Sequence, residues 1–224
     1  MNFLLDTADL EEIKEGLDIF PLAGVTTNPS ILAKSGQPMF KQLNAIRQLI
    51  GKDRMLHAQV MGDTCEEMLL DAAAMVKAVD EDLYIKVPVS REGLKAIREL
   101  KKQNYHVTAT ALFTYEQAIL ASRAGADFVA PYISRMMRNG IDAYGEVEAM
   151  EISFEENGMD TQVLAASFQN SDQIASCIAS GAGYVTAKLV NLYEMIDHPL
   201  TDDAIQGFKG DWQKAYDGVL PQNM

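Results

Sequence analysis

The sequence predicts a single-domain (β/α)8 barrel, or TIM barrel, with one additional C-terminal helix. Eight short apolar runs of β-like composition alternate with helical patterns along 224 residues. Strands that alternate with helices pair in parallel through right-handed crossovers, and eight such units in a chain of this length favour a closed barrel. No linker, low-complexity stretch or charge block divides residues 1–224, so we expect one domain.

The predicted elements follow one another from the first residues. We expect strands over residues 3–6, 23–26, 56–60, 83–87, 106–110, 128–131, 162–166 and 183–186. Helical patterns include residues 64–79, 91–102, 115–124, 141–156 and 171–179. Glycines stand between a helical pattern and the next strand at Gly125 and Gly181, as is typical of helix ends.

The last amphipathic stretch covers about residues 202–217 and carries Phe208, Trp212 and Tyr216 at a spacing of four. It could pack on its own barrel or on a neighbouring subunit. An open doubly wound sheet is the alternative fold. Its Gly-rich nucleotide turn is missing, however, because Asp6 and Thr7 follow the first strand instead.

Composition limits the partners and the compartment. The formal net charge of −13 argues against nucleic acid and anionic membranes as partners, although a local arginine could still bind a phosphorylated substrate. Cys65 and Cys177 have no metal-ligand spacing, so we expect neither a disulfide framework nor a secreted protein, but a cytoplasmic one. No apolar run approaches the roughly 18 residues of a membrane span, and we expect no signal peptide.

Polar residues stand at the carboxyl end of nearly every predicted strand, where active sites form in this type of barrel. Each has a plain structural explanation, such as a helix cap, a turn residue or a solvated arginine. Their shared location nevertheless predicts a lined pocket. The residues are Asp6, Thr26, Thr27, Asn28, Gln59, Lys86, Thr110, Tyr132, Arg135 and Ser167.

Lys86 is the most informative of these residues. It lies in the otherwise apolar run 83–89, and a closed barrel offers no edge strand on which it could stay exposed. Side chains alternate along a strand, so Tyr84 should point into the barrel if Lys86 does. Burial disfavours the charged ammonium, and the neutral amine is the nucleophile in Schiff-base chemistry. Lys86 is therefore the predicted nucleophile.

The three histidines do not predict a metal site. His57 and His106 fall early in their strands, below Gln59 and Thr110 on the same face, and His198 follows the eighth strand. Their spacing fits no zinc motif. We therefore expect core or solvated histidines and no metal.

At these residues the chain resembles the small transaldolase family and its fructose-6-phosphate aldolase branch. The resemblance runs in register over essentially the whole chain, and the block Gly24–Ser30, read as Gly-Val-Thr-Thr-Asn-Pro-Ser, is highly specific. The segments that carry it are residues 5–8, 23–30, 57–60, 85–88, 129–135 and 164–168.

The resemblance implies a barrel enzyme whose Schiff-base lysine stands on strand four, where Lys86 matches, and which needs no cofactor. It implies that Asp6 and Asn28 bind the hydroxyls of the donor ketose and assist proton transfer. It further implies that Arg135 and Ser167 hold the phosphate of the acceptor. The remaining implied positions are Thr110, which positions a water, and Thr26 and Ala130, which belong to the substrate-binding set.

Two positions separate the branches of this family. Typical transaldolases have Glu and Phe where this chain has Gln59 and Tyr132. A phenol with a water held by Gln59 and Thr110 can protonate and release the donor-derived enamine, whereas without it the enamine waits for a second aldehyde. We therefore expect a class I aldolase that reversibly cleaves fructose 6-phosphate to dihydroxyacetone and glyceraldehyde 3-phosphate. A transaldolase is the alternative.

The chain departs from the family pattern at Ser134, in the loop 136–144 and at Lys188. All three concern the phosphate end, so the acceptor preference stays open, and Lys188 could add a phosphate contact or be solvated. Family members assemble as pentamers or decamers, which implies a homo-oligomer. Two further hypotheses are a phosphosugar isomerase or lyase, which would need a carboxylate or His base at a strand end, and a non-enzymatic sugar-phosphate binding protein.

Overall fold

The computed structural model, which describes residues 1–223, is a closed barrel of eight parallel strands in sequence order. The strands are β1 (Asn2–Asp6), β2 (Leu22–Thr26), β3 (Met55–Gln59), β4 (Tyr84–Pro88), β5 (His106–Leu112), β6 (Phe128–Pro131), β7 (Gln162–Ala165) and β8 (Tyr184–Ala187). The barrel closes because β1 pairs with both β2 and β8. The predicted fold class is confirmed.

Helices surround the barrel. They are α1 (Leu10–Ile19), α2 (Pro29–Lys34), α3 (Met39–Ile50), α4 (Cys65–Ala78), α5 (Arg91–Lys102), α6 (Tyr115–Arg123), α7 (Ile133–Arg138), α8 (Ala143–Glu156), α9 (Ser171–Ala179), α10 (Leu189–Ile196) and α11 (Pro199–Tyr216). The predicted C-terminal helix is α11, which begins three residues earlier than expected because Pro199 occupies its first turn.

Polar residues just before several helices explain where those helices begin. Their side chains accept hydrogen bonds from backbone N–H groups of the first turn, which have no partner inside the helix. The capping residues are Asp9, Asn28, Thr64, Ser90, Thr114, Asp142 and Asn170. These caps fix the points at which the chain leaves the strands and turns away from the barrel mouth.

Two layers of side chains fill the molecule. Apolar strand residues such as Val25, Ile85 and Val163 are fully buried between the barrel and the helices. Inside the barrel, Leu4, Phe128 and Leu164 form a separate apolar cluster. This cluster packs against the ring of Tyr84, and the polar residues at the strand ends lie above that level, toward the carboxyl ends of the strands.

Three aromatic side chains form a layer inside the barrel beneath Lys86. Tyr84 stacks between His57 and His106, with ring centroids 4.6 and 4.7 Å apart. The predicted parity is thereby confirmed, because Tyr84 and Lys86 share a face of β4. Nδ1 of His57 is 2.9 Å from Oγ1 of Thr108, and burial lowers the pKa of His57 well below 6.5, which keeps the ring neutral.

Two simpler findings complete the fold. Cys65 and Cys177 are unpaired. None of the helices within residues 1–223 combines the length and the apolar character that a membrane crossing needs.

Candidate active site

A cavity of about 470 Å³ opens at the carboxyl ends of the strands. Its wall brings together seven of the ten predicted site residues, which come from six different strands or the loops that follow them. These residues are Asp6, Asn28, Gln59, Lys86, Tyr132, Arg135 and Ser167. Polar groups that are far apart in sequence therefore converge on one space large enough for a sugar phosphate.

Lys86 lies at the inner wall of this cavity with only 4% of its surface exposed. Its Nζ donates a hydrogen bond of 2.9 Å to the carbonyl oxygen of Thr27. Burial lowers the pKa of the Lys86 ammonium from 10.5, while the negative charge of Asp6 opposes that shift. The site thus favours the neutral, nucleophilic amine to a degree that an exposed lysine would not.

The loop after β2 holds the carbonyl that Lys86 contacts. The backbone N–H and Oγ1 of Thr27 both donate to the carbonyl oxygen of His57, at 2.8 and 2.9 Å. Asn28 caps α2 by accepting from the N–H of Ile31 at 3.0 Å, with Pro29 at the first helical position. The specific Thr-Thr-Asn-Pro block is therefore a rigid turn that fixes the partner of Lys86 as well as one wall of the cavity.

Asp6, at the end of β1, is the carboxylate of the cavity wall. Its Oδ1 accepts from Oγ1 of Thr26 at 2.8 Å, and that hydroxyl is 2.7 Å from Oγ1 of Thr186. Burial raises the pKa of Asp6 from 3.8, against the charges of Lys86 and Lys188 and the hydrogen bond from Thr26. A carboxyl with a raised pKa is suited to accept and return a proton near neutral pH.

Tyr132 and Thr110 form a second hydroxyl pair on the other side of the cavity. Their oxygens are 3.0 Å apart, and Thr110 is fully buried, so the tyrosine hydroxyl is held in place. The guanidinium carbon of Arg135 lies 4.8 Å from the centroid of the Tyr132 ring, a cation–π contact. The ring therefore orients Arg135 while its hydroxyl is available to a reacting group in the cavity.

Gln59 faces the same space from β3, where it pairs with Lys86 of β4 in the sheet register. It is thus the side chain next to the lysine along the barrel wall. The predicted trio of Gln59, Thr110 and Tyr132 is brought to one region, although only Gln59 and Tyr132 line the cavity itself.

Ser167 and Arg135 form the outer part of the wall. Ser167 adopts a left-handed backbone conformation, φ 65°, which is uncommon for a residue with a side chain. Its carbonyl accepts from the N–H of Ser134 at 2.9 Å, so the turn after β7 is tied to the first turn of α7. This link holds Ser167 beside Arg135.

Four predicted residues, Thr26, Thr27, Thr110 and Ala130, do not line the cavity. Thr26 and Thr110 are fully buried behind it, where they hold the functional groups of Asp6 and Tyr132. Ala130, predicted to be in the substrate-binding set, lies on β6 at 1% exposure. Thr26 and Thr110 therefore act on the site only through Asp6 and Tyr132.

The cavity wall also contains residues that the sequence analysis did not select. Thr186 ends a predicted strand, so the strand-end rule could have found it. Lys34 ends α2, a helix not among the predicted ones. Ala111 faces the cavity because the β5–β6 register shifts there and its φ is 54°, a local irregularity with no sequence signal. Lys188, noted as a departure from the family pattern, also lines the wall.

Within residues 1–223, no group of three or more His, Cys, Asp or Glu side chains is arranged to hold a metal ion. The groups that do converge are an amine, a carboxyl, a phenol, amides, hydroxyls and basic side chains. Such a set can form an imine with a carbonyl compound, bind its hydroxyl groups, move protons and hold an anion.

The fold and this cavity define a class of protein: a barrel enzyme with a buried lysine in a polar pocket at the carboxyl ends of its strands. Residues 3–219 match the family model described as Transaldolase/Fructose-6-phosphate aldolase. The chain belongs to this family, and the predicted family resemblance is confirmed.

Two relatives show how far the similarity extends. A probable fructose-6-phosphate aldolase of Streptococcus pneumoniae (strain ATCC 700669 / Spain 23F-1) is 39% identical, and the match covers 95% of this chain and 96% of that protein's sequence. A probable transaldolase of Thermoanaerobacter sp. (strain X514) is 36% identical, and the match covers 96% of this chain and 98% of that protein's sequence. One of these two relatives is named an aldolase and the other a transaldolase. The comparisons therefore establish a family of aldolase and transaldolase enzymes with small-molecule substrates, without separating the two activities.

Proposed function

We propose that the protein is a class I aldolase that reversibly cleaves fructose 6-phosphate to dihydroxyacetone and glyceraldehyde 3-phosphate, with an imine on Lys86 as the intermediate. The observation that carries this proposal is the Tyr132 hydroxyl, held 3.0 Å from Thr110 on the wall of the cavity that contains the buried Lys86. It supplies the acid/base group that an aldolase needs to release its enamine and that a transferase does without.

The reaction begins at Lys86. The neutral Nζ attacks C2 of the open-chain ketose, and the resulting carbinolamine loses water to give an iminium ion. The low exposure of Lys86 supports this step, because burial shifts the amine toward its uncharged form. The iminium nitrogen then serves as the electron sink, so the proposed chemistry requires no metal or cofactor.

Cleavage of the C3–C4 bond follows. The C4 hydroxyl loses its proton, the C3–C4 electron pair moves into the iminium group, and glyceraldehyde 3-phosphate leaves while an enamine remains on Lys86. Asp6 and Asn28 are proposed to hold the donor hydroxyls and to assist this proton transfer. Arg135 and Ser167, on the outer part of the wall, are proposed to hold the phosphate.

The last step separates the aldolase from the transferase. Tyr132, acting through a water held by Gln59 and Thr110, protonates the enamine at C3. Water then attacks the iminium carbon, and dihydroxyacetone is released as Lys86 is regenerated. If the enamine is not protonated, it persists until a second aldehyde arrives, and the enzyme is a transaldolase.

One experiment decides between these activities. The purified protein is incubated with fructose 6-phosphate alone, and free dihydroxyacetone is measured by an enzymatic assay. An aldolase releases dihydroxyacetone over many turnovers. A transaldolase releases no free dihydroxyacetone: it forms glyceraldehyde 3-phosphate for one turnover and continues only when erythrose 4-phosphate is added to accept the dihydroxyacetone unit. The second result would overturn the aldolase proposal and establish the alternative.

Reductive trapping tests the nucleophile. Borohydride with dihydroxyacetone should attach the donor to Lys86, as located by peptide mass mapping, and Lys86→Met should abolish the adduct. Lys95→Met is the matched control, because Lys95 lies on α5 with 62% of its side chain exposed. An adduct on another lysine, or none at all, would contradict the mechanism. A chelator in the same assay should leave the wild-type yield unchanged.

We also propose that the protein assembles as a homo-oligomer, a pentamer or decamer. None of the residues of α11 is buried, and Leu200 and Phe208 are 69% and 72% exposed. Trp212 stacks on Tyr216 at 4.4 Å and donates to the carbonyl of Val219, so this stripe contacts the C-terminal tail. A helix with this many exposed apolar side chains is suited to pack on a neighbouring subunit.

A further inference from the structure

The wall of the active-site cavity is more basic than one phosphate group requires. Among residues 1–223, it contains four basic side chains and one carboxylate, namely Lys34, Lys86, Arg135, Lys188 and Asp6. The chain as a whole has a net charge of −13, so this basic character is local. In the proposed function Arg135 accounts for the acceptor phosphate and Lys86 for the imine, which leaves Lys34 and Lys188 without a role.

The order of the strands places Lys34 on the side of the barrel opposite Arg135 and places Lys188 next to Asp6. Lys34 ends the helix after β2 and Arg135 lies in the helix after β6, and these strands are four apart in a closed barrel of eight, hence on opposite sides. Lys188 follows β8, which pairs with the strand that bears Asp6. The charge of Lys188 acts on Asp6, lowering its pKa against the larger effect of burial.

A second cavity, of about 580 Å³, adjoins the first at this point. The two cavities share Asp6, Ile31, Lys34 and Lys188, whereas Arg135 and Ser167 line only the first. The additional space therefore begins at the two lysines. A substrate bound between Lys86 and Arg135 could extend past Asp6 into it without displacing the acceptor phosphate.

Carboxylates also line the second cavity, but each of them is engaged or turned to solvent. Asp9 caps α1 by accepting from two backbone N–H groups, and Glu12 accepts from the hydroxyl of Thr7 at 2.6 Å. The side chain of Glu11 is 85% exposed. In residues 1–223, no ion pair engages Lys34 or Lys188. The shared wall is consequently the basic part of the second cavity.

We propose that Lys34 and Lys188 form a second anion subsite at the donor end of the cavity, which binds a phosphate on C1 of the ketose. The enzyme would then also take ketose 1,6-bisphosphates and α-hydroxyketone phosphates as substrates. This inference rests on the proposed function, because the imine on Lys86 and the donor role of Asp6 define which end of the cavity is the donor end.

The chemistry balances without any additional reactant. With a 1,6-bisphosphate, Lys86 forms the C2 iminium with loss of water, and the C3–C4 bond breaks as the C4 hydroxyl loses its proton. The electron pair of that bond forms an enamine that still has the C1 phosphate, while glyceraldehyde 3-phosphate leaves. Protonation at C3 and hydrolysis of the iminium release dihydroxyacetone phosphate and the free amine.

Trapping on Lys86 tests the subsite directly. The full-length enzyme is reduced with borohydride in the presence of dihydroxyacetone or dihydroxyacetone phosphate, and mass spectrometry identifies which adduct Lys86 carries. We expect an adduct with each ketone, and we expect the phosphorylated ketone to reach half-maximal trapping at a lower concentration. If dihydroxyacetone is trapped but its phosphate is not, the subsite is overturned while the proposed function stands. If neither ketone is trapped, the proposed function itself fails.

Variants then assign the phosphate contact. Lys34→Gln and Lys188→Gln should each lower the preference for the phosphorylated ketone, expressed as the ratio of the two half-maximal concentrations, by about tenfold. Lys102→Gln, 62% exposed on α5, is the control and should keep the wild-type ratio. The kcat/KM ratio of fructose 1,6-bisphosphate to fructose 6-phosphate should fall in parallel. Ratios equal to wild type in both lysine variants would overturn the assignment.

Discussion

At the scale of single residues, the chemistry of the site depends on how burial changes the pKa values of two titratable groups, Lys86 and Asp6. Lys86 and Asp6 line the same cavity, and the charge of each one shifts the pKa of the other. In residues 1–223 the two side chains do not form an ion pair. Burial shifts both pKa values toward the neutral forms, the pKa of Lys86 downward and the pKa of Asp6 upward. The pair is thereby prepared for imine formation and proton transfer rather than for a stable salt bridge.

The pH dependence of imine formation should reveal the lowered pKa of Lys86. The neutral amine increases as pH rises through that pKa, so trapping of dihydroxyacetone with cyanoborohydride should rise with pH and level off below 10.5. Asp6→Asn removes a negative charge that raises the pKa of Lys86, so the midpoint should move to lower pH. Asp9→Asn keeps a capping side chain and should leave the midpoint in place. A midpoint that moves upward in Asp6→Asn would contradict the assigned coupling.

Tyr132→Phe should separate the two halves of the proposed reaction. Loss of the hydroxyl removes the proposed acid/base, so kcat for release of dihydroxyacetone should fall by about 100-fold, the lower end of what general acid–base groups contribute. Trapping on Lys86 should change far less, because the amine and its Thr27 contact are intact. Tyr193→Phe is the control, because it removes a tyrosine hydroxyl that donates a hydrogen bond to Glu15 outside the cavity. Equal losses of trapping and release would disprove the role given to Tyr132.

At the scale of elements, the strand-end rule found most of the site because parallel strands place their carboxyl ends at one mouth. It located Asp6, Gln59 and Lys86 from local sequence alone. It could not find Ala111, since its exposure to the cavity results from a register shift between β5 and β6. Lys34 was missed for a different reason: no helix was predicted over its short helix α2, whose start is defined by the Asn28 cap and Pro29.

Gly24 shows how one residue in an element controls the site. A Cβ at this position would lie 2.2 Å from the carbonyl oxygen of Met55, so β2 and β3 can approach only because Gly24 has no side chain. Gly24→Ala should therefore push the strands apart and displace Thr27, the partner of Lys86. We expect a loss of about 1–3 kcal/mol in the free energy of unfolding, measured by urea denaturation at fixed protein concentration, together with slower trapping on Lys86.

Gly207→Ala is the matched control for that substitution. Gly207 lies in α11, and a Cβ there would meet nothing within 4 Å. Alanine favours the helix over glycine by about 0.5–1 kcal/mol, so this variant should be equally or more stable than wild type. If both alanine variants lowered stability alike, the close approach of β2 and β3 would not be the cause.

At the scale of the whole molecule, the barrel and α11 have different degrees of internal support. The barrel has a continuous buried core, and its strands and the segments that follow them supply the residues that line the active-site cavity described above. In contrast, α11 has no buried residue. The sequence predicted this helix but left open whether it packs on its own barrel, because a stripe of Phe208, Trp212 and Tyr216 is compatible with either arrangement. The exposure of α11 favours a neighbouring subunit.

This asymmetry predicts that assembly and imine formation can be separated. Native mass spectrometry of the wild-type protein should give a multiple of five subunits of 24.7 kDa. Replacing Leu200 and Phe208 together by Asp places two charges on the exposed apolar face and should yield smaller species. Those species should still trap dihydroxyacetone on Lys86, because no cavity residue is lost. Leu70→Asp, at a position 65% exposed on α4, tests whether an added charge alone has this effect. A monomeric wild-type protein would refute the predicted assembly, and loss of trapping upon dissociation would show that a neighbouring subunit supports the site.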